Sequence, residues 1–200
     1  MTGHWDAVYA AGPRWDIGRP QPAFLALARS GAIRGPVLDV GCGTGEHVLM
    51  CAALGLHATG VDLSATALRE AEQKAHDRGL TARFVNLDVR RLRELDETYA
   101  TVLDSGLFVH VVDDEHALAD FLNGLRSVVV PGGRYFMLSF REYAGHAGHA
   151  GGRGHHAMSA AQIAAVFSDG WRVDSIEPVL LDSTADVDGI PAWLAALTRS

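Results

Sequence analysis

Cysteine, lysine and long apolar runs are all scarce in this chain. Cys42 and Cys51 are its only cysteines. On one helix, nine residues apart, they would be separated by roughly 13 Å at 1.5 Å rise per residue. A disulfide needs Cα atoms within about 7 Å, so the two are expected to stay reduced. Lys74 is the single lysine, and the arginines are scattered without forming a basic stripe. With a net charge of −7, that argues against a nucleic-acid partner. No apolar stretch reaches the roughly 18–20 residues needed to cross a bilayer. The start, Met1 to Asp6, has neither a basic nor an apolar leader segment. A cytoplasmic protein, monomeric or homodimeric and without a membrane partner, is the expectation.

The 200 residues are 48% hydrophobic and 20% charged, the balance of a soluble globular protein. This length suits one domain. Residues 1–18 read as a mobile or partly helical arm. Residues 1–35 together form an arm and a first helix that opens at Arg19-Pro20-Gln21-Pro22. Short apolar strands are then expected at 36–40, 57–62, 82–87, 100–105 and 134–140. Helices follow at 46–54, 64–78 and from Asp113 or Asp114, the last with Leu118, Phe121, Leu122, Leu125 and Val129 on one face. Ser64 reads as an N-cap, Pro131-Gly132-Gly133 as a turn, and Ser159 to Gln162 as a capping box. Two closing strands are expected from Trp171 and Ala192. Alternating strands and helices predict an α/β fold: a doubly wound, mostly parallel sheet with a core at 36–140, a loop at 141–158 and a closing part at 159–200.

Val37 to Gly45 carries the strongest chemical signal. Gly41, Gly43 and Gly45 follow a buried strand and precede a helix, which lets a ligand approach bare backbone. Asp62 sits 21 residues after Gly41, where an acid accepts from both ribose hydroxyls of an adenosine. Asp88 follows the third strand and could accept from an adenine amino group. Glu46 occupies the place of the third glycine in the dinucleotide pattern, which disfavours a nicotinamide cofactor. Asp39 would repel a pyrophosphate and suits a cationic amino-acid moiety. There is no Gly-Lys-Ser/Thr phosphate loop.

In this order, Asp39-Val40-Gly41-Cys42-Gly43-Thr44-Gly45, Asp62, Asp88, Asp104-Ser105 and Pro131-Gly132-Gly133, the chain resembles the class I S-adenosylmethionine-dependent methyltransferases. The resemblance covers about residues 36–140. It implies a seven-stranded Rossmann-like sheet whose last strand is antiparallel, with S-adenosylmethionine as cofactor and S-adenosylhomocysteine as product. It further implies that Asp39 and the backbone of Gly41, Cys42, Gly43 and Gly45 hold the methionine amino group. Asp62 and Leu63 take the ribose, Asp88 and Val89 frame the adenine, and Asp104 and Ser105 line the methionine side.

Trp15-Asp16-Ile17-Gly18-Arg19-Pro20-Gln21-Pro22 is similar to the Trp-x-x-Gly-x-x-x-Pro segment of thiopurine, thiol/halide and heterocyclic toxin methyltransferases. Asp104 to Asp114 is most similar to the heterocyclic toxin group. The resemblance implies an arm folded over the cofactor, with Trp15 beside the sulfonium and Arg19 pairing with the methionine carboxylate. The alternative is that Trp15 staples the first helix and Arg19 is solvated.

His110 is the candidate general base, since its ordinary pKa suits proton transfer. It could equally only shape the pocket. Arg141 and Tyr143 are expected to reach the acceptor. Asp113 and Asp114 also read as helix caps. The segment from Gly145 to His156 holds four histidines without an acid or cysteine among them. It reads as a flexible loop over the substrate mouth and not as a metal site. A small aromatic or heterocyclic acceptor, methylated on O or N by in-line transfer, is the leading expectation. S-methylation of thiopurines or thiols and a non-catalytic sensor of S-adenosylmethionine are the alternatives.

Overall fold

The computed structural model describes residues 2–141 and 157–200. Strands β1 (Val37–Val40), β2 (Ala58–Asp62), β3 (Arg83–Asn86), β4 (Tyr99–Ser105), β5 (Val129–Phe140), β6 (Trp171–Ser183) and β7 (Asp186–Arg199) form one sheet. Their spatial order is β3-β2-β1-β4-β5-β7-β6. The pairs among β1 to β5 are parallel, and β7 runs antiparallel between β5 and β6. The chain steps outward from β1 to β3 and then returns to the far side of β1 with β4. That reversal opens a crevice at the carboxyl ends of β1 and β4.

Strand residues alternate between two cores, because successive side chains point to opposite faces. Leu38, Val40, Val102, Tyr135 and Met137 pack on one face. Their partners come from helix α5 (Glu115–Val128), through Phe121 and Leu125, and from Ile163 of α6 (Ala160–Val166). A tight 3-10 segment at Val89–Leu95 adds Leu92 to that face. Val37, Leu103, Phe136 and Leu138 face the other way. There they meet Phe24 of α2 (Pro22–Arg29), Val48 and Cys51 of α3 (Glu46–Ala53) and Leu68 of α4 (Ala65–Asp77). The doubly wound arrangement follows from this alternation.

Local capping agrees with the sequence. Ser64 accepts from the Ala67 N–H, Asp114 from the N–H groups of His116 and Ala117, and Ser159 and Gln162 form a reciprocal capping box. Cys42 and Cys51 are free and buried. The arm is partly helical, as the sequence suggested, with α1 at Thr2–Ala10. Two expectations are corrected. The stretch Pro131-Gly132-Gly133 lies inside β5 and bulges it, with β5 advancing from Val129 to Arg134 while β4 advances from Tyr99 to Thr101. Gly132 supplies the positive φ (76°) this needs. The strand expected from Ala192 begins at Asp186, forming a long hairpin with β6. No helix of the described residues is long and apolar enough to cross a membrane.

Candidate active site

The turn after β1 sets the floor of the site. Gly41 and Gly43 both have positive φ, 68° and 53°. A Cβ on Gly41 would lie 3.0 Å from the Leu107 side chain, and one on Gly43 would lie 2.6 Å from Tyr9 Oη. Glycine is required here by both conformation and space. Gly45 serves packing instead. It lacks contact with the cavity, and a Cβ there would meet Ala71 and Phe84 at 2.8 and 3.0 Å.

Asp62, at the end of β2, ties this turn to α4. Its Oδ2 accepts from the Gly43 N–H (2.9 Å) and its Oδ1 from the Ser64 N–H (2.8 Å). Burial raises its pKa from the ordinary value, and these amides pull the other way. Each carboxylate oxygen keeps acceptor capacity for a ligand hydroxyl.

A cavity of about 670 Å³ opens at the crevice, lined by Gly41, Cys42, Gly43, Asp62, Leu63, Asp88, Val89 and Ser105 among others. Its opposite wall comes from the start of the chain. Trp5 and Tyr9 of α1, with Trp15 after it, face the glycine turn. Trp15 meets both Trp5 and Tyr9 edge-on at 6.5 Å between ring centroids. Asp6 anchors α1 by accepting from Ser64 Oγ and the Thr66 N–H, both at 2.9 Å. Asp16 Oδ1 accepts from Thr44 Oγ1 at 3.0 Å.

Asp39 is buried, and among the described residues neither carboxylate oxygen has a hydrogen-bond partner. Its Oδ2 lies 3.7 Å from His47 Nδ1. His47 Nε2 accepts from the Gln21 N–H (3.1 Å), so a neutral ring carries its proton on Nδ1, toward Asp39. His47 lines the cavity and Asp39 does not. A negative charge at Asp39 would favour a cation beside this wall of the cavity.

Several expected site residues are placed otherwise. Arg19 lines the cavity, but its guanidinium pairs with Asp182 at 2.7 Å. Asp88 lines the cavity while its carboxylate is clasped by Arg90 and caps the 3-10 segment, which holds its pKa below the ordinary value. Asp104 does not line the cavity. It adjoins Ser105 on β4, so the two point to opposite faces, and only Ser105 reaches the site. Arg141 lies over the Trp193 ring, 5.2 Å from its centroid, and is not part of the cavity wall. Tyr143 and the Gly/His-rich segment lie outside the described residues. Among the described residues no cluster of His, Cys, Asp or Glu could hold a metal. His110 lines the cavity, exposed, with its ring edge-on to Trp5 at 5.0 Å.

Comparison with known proteins bears on this arrangement. The "Methyltransferase domain" family matches residues 37–133. The chain is 34% identical to the 2-heptyl-1-hydroxyquinolin-4(1H)-one methyltransferase of Mycobacteroides abscessus, over 88% of this chain and 76% of that protein. This chain belongs to the class I S-adenosylmethionine-dependent methyltransferases. The methyltransferase is also 35% identical to the demethylmenaquinone methyltransferase of Thermus thermophilus, over 66% of this chain and 56% of that one. A solved structure described as "Conversion of a Disulfide Bond into a Thioacetal Group during Echinomycin Biosynthesis" superposes with a TM-score of 0.87. It is 36% identical and covers all of this chain and 93% of its own.

S-adenosylmethionine is the methyl donor of this family, and the residues present fit it. The bare backbone at Gly41 and Gly43, the spare acceptors of Asp62 and the charge of Asp39 match its amino acid, ribose and cationic centres. Sequence reasoning missed Trp5, Tyr9, His47, Phe140 and Leu181, which also line the cavity. Phe140 ends β5, and Leu181 lies near the end of β6.

Proposed function

We propose that the enzyme methylates an O or N atom of a small aromatic or heterocyclic molecule in this cavity. The observation that carries the reading is the aromatic and apolar wall, with Trp5 and Trp15 on one side and Phe140 and Leu181 on another. Flat rings bury well against such a wall. The relatives named for a hydroxyquinolinone and for demethylmenaquinone support a ring-bearing acceptor.

When bound, S-adenosylmethionine supplies a methyl group on a sulfonium, open to in-line displacement. Asp62 would accept from the ribose hydroxyls, with Leu63 beside it. The Gly41 to Gly43 backbone would hold the amino-acid end, and Val89 and Asp88 would border the adenine. Trp15 and Trp5 would close over the donor and exclude water, and alignment in a dry site lowers the barrier. His110 is the group positioned to take a proton from an acceptor hydroxyl or amine. Arg19, through its pair with Asp182, fixes the arm to the β6–β7 hairpin.

The likeness to the structure concerned with converting a disulfide into a thioacetal favours a second reading, transfer to sulfur. One experiment separates the two. The protein is incubated with deuteromethyl S-adenosylmethionine and a panel of hydroxyquinolones, hydroxyquinones, thiopurines, aryl thiols and a cyclic disulfide. Label on O or N of a ring compound supports the proposal. Label only on sulfur moves the enzyme to the second reading.

A further inference from the structure

The end of β4 and the residues after it form one wall of the cavity: Ser105, Gly106, Leu107, His110 and Val111. Phe108–His110 is a short 3-10 turn, and its entry is held from within the core. Asp104 Oδ1 accepts from the Leu107 N–H at 2.8 Å and more weakly from the Phe108 N–H at 3.4 Å. Its Oδ2 accepts from the Tyr135 hydroxyl at 2.8 Å. Leu107 then packs its side chain over Gly41, against the place where a Cβ would stand. Asp104 is thus linked through Leu107 to the donor-binding turn, and along the 3-10 turn to His110.

We propose that Asp104 is a positioning residue for methyl transfer: its charged carboxylate draws the 105–111 segment into the shape that walls the cavity, and transfer slows when it gains a proton. The proposal rests on the reading of this cavity as the transfer site.

All three partners are donors, so the ionised form is the one they satisfy. A charge-assisted hydrogen bond is roughly twice as strong as a neutral one. Protonation weakens the grip on the Leu107 and Phe108 amides and forces the Tyr135 hydroxyl to turn and accept. The titratable groups that act on Asp104 are Tyr135 from β5 and Asp39 from β1. Among the described residues no cation pairs with it. Complete burial, with the Asp39 charge adding to it, pushes its carboxyl up to about 7, while the Tyr135 hydroxyl and the two amides hold it from rising further. The direction of the shift brings the group toward neutrality. Tyr135 itself is raised well above the ordinary tyrosine value by burial and by the Asp104 charge, so its hydroxyl keeps its proton throughout.

The test follows the Asp104 carboxyl carbon by NMR in the full chain, between about pH 5.5 and 8.5. Exchange protection of the Leu107 and Phe108 amides is read in parallel. Neither readout needs turnover, so this proposal and the functional reading can fail separately. The proposal expects a titration near neutrality, with amide protection rising as the carboxylate forms. Tyr135→Phe removes one donor and should move both curves up by roughly half to one pH unit. The acid limb of kcat/KM should move by the same amount. A purely structural tyrosine would lower stability without moving that limb. Asp104→Asn should remove this component of the limb and leave transfer low across the range. Should Tyr135→Phe not fold, Asp104→Asn and the wild-type titration carry the test. Titration in the ordinary aspartate range, amide protection that ignores the titration, or an acid limb unmoved by these variants would overturn the proposal.

Discussion

The Gly43 N–H donates to Asp62 Oδ2 across 2.9 Å, joining the turn after β1 to the end of β2. One carboxylate thus shapes the loop beside which the ribose would lie and keeps acceptor capacity for that ribose. Asp62→Ala should weaken S-adenosylhomocysteine binding by roughly 10- to 150-fold, the loss of a hydrogen bond to a charged group. Titration calorimetry measures this directly. Unchanged affinity would remove Asp62 from the ribose site.

Gly43 also sets how closely α1 can approach. Gly43→Ala places a methyl where Tyr9 Oη stands and adds the strain of a φ of 53°. We expect weaker S-adenosylhomocysteine binding and faster amide exchange in α1. Combining it with Tyr9→Ala should restore only part of the affinity, because the left-handed backbone still costs roughly 1–2 kcal/mol. Equal affinity in Gly43→Ala and wild type would show that α1 does not close on this turn.

His110→Ala separates chemistry from shape. With an acceptor whose proton must be removed, kcat should fall by about 10²- to 10⁴-fold while donor affinity holds. A thiolate acceptor should lose far less. Wild-type kcat for a hydroxyl acceptor at every pH would take His110 out of the base role.

Much of this was readable locally. The two-residue alternation that sends Leu38 and Val37 to opposite cores is a property of consecutive residues, as are the caps at Ser64, Asp114 and Ser159. The glycine turn and Asp62 were legible for the same reason: spacing along the chain fixes them at one sheet edge. What stayed hidden depends on partners far away in sequence. Gln21 exchanges two hydrogen bonds with the backbone of Asp182, 161 residues on, and so docks the arm. Tyr9 and Trp5 reach the cavity because Asp6 caps α4. Alternation puts Asp104 on the face opposite Ser105, but its partner there, the Tyr135 hydroxyl on a neighbouring strand, is not written in the local sequence.

Stability should show the same buried acid from the other side. In the unfolded chain Asp104 releases its proton near the ordinary value of 3.8, and in the folded chain near 7. Between those values the folded state holds the extra proton. This group's contribution is therefore greatest at low pH and is lost as pH rises toward 7. Urea unfolding across that window should show a falling component that Asp104→Asn removes. An identical pH slope in the variant would contradict it.

Phe121 reports on the core behind the site. Its fully buried ring packs between α5 and the sheet, 6.2 Å from Phe108 and 6.5 Å from Tyr135 between centroids. Phe121→Ala should cost about 3–5 kcal/mol. Chemical denaturation checks it, and a loss below about 1 kcal/mol would mean that the site collapses freely around the deletion.

The most direct test of the whole account is a crystal structure with S-adenosylhomocysteine. The account predicts the ribose hydroxyls on Asp62, the amino-acid end along Gly41 to Gly43, and Trp15 covering the ligand. Ligand density outside this cavity, or a ribose away from Asp62, would contradict it.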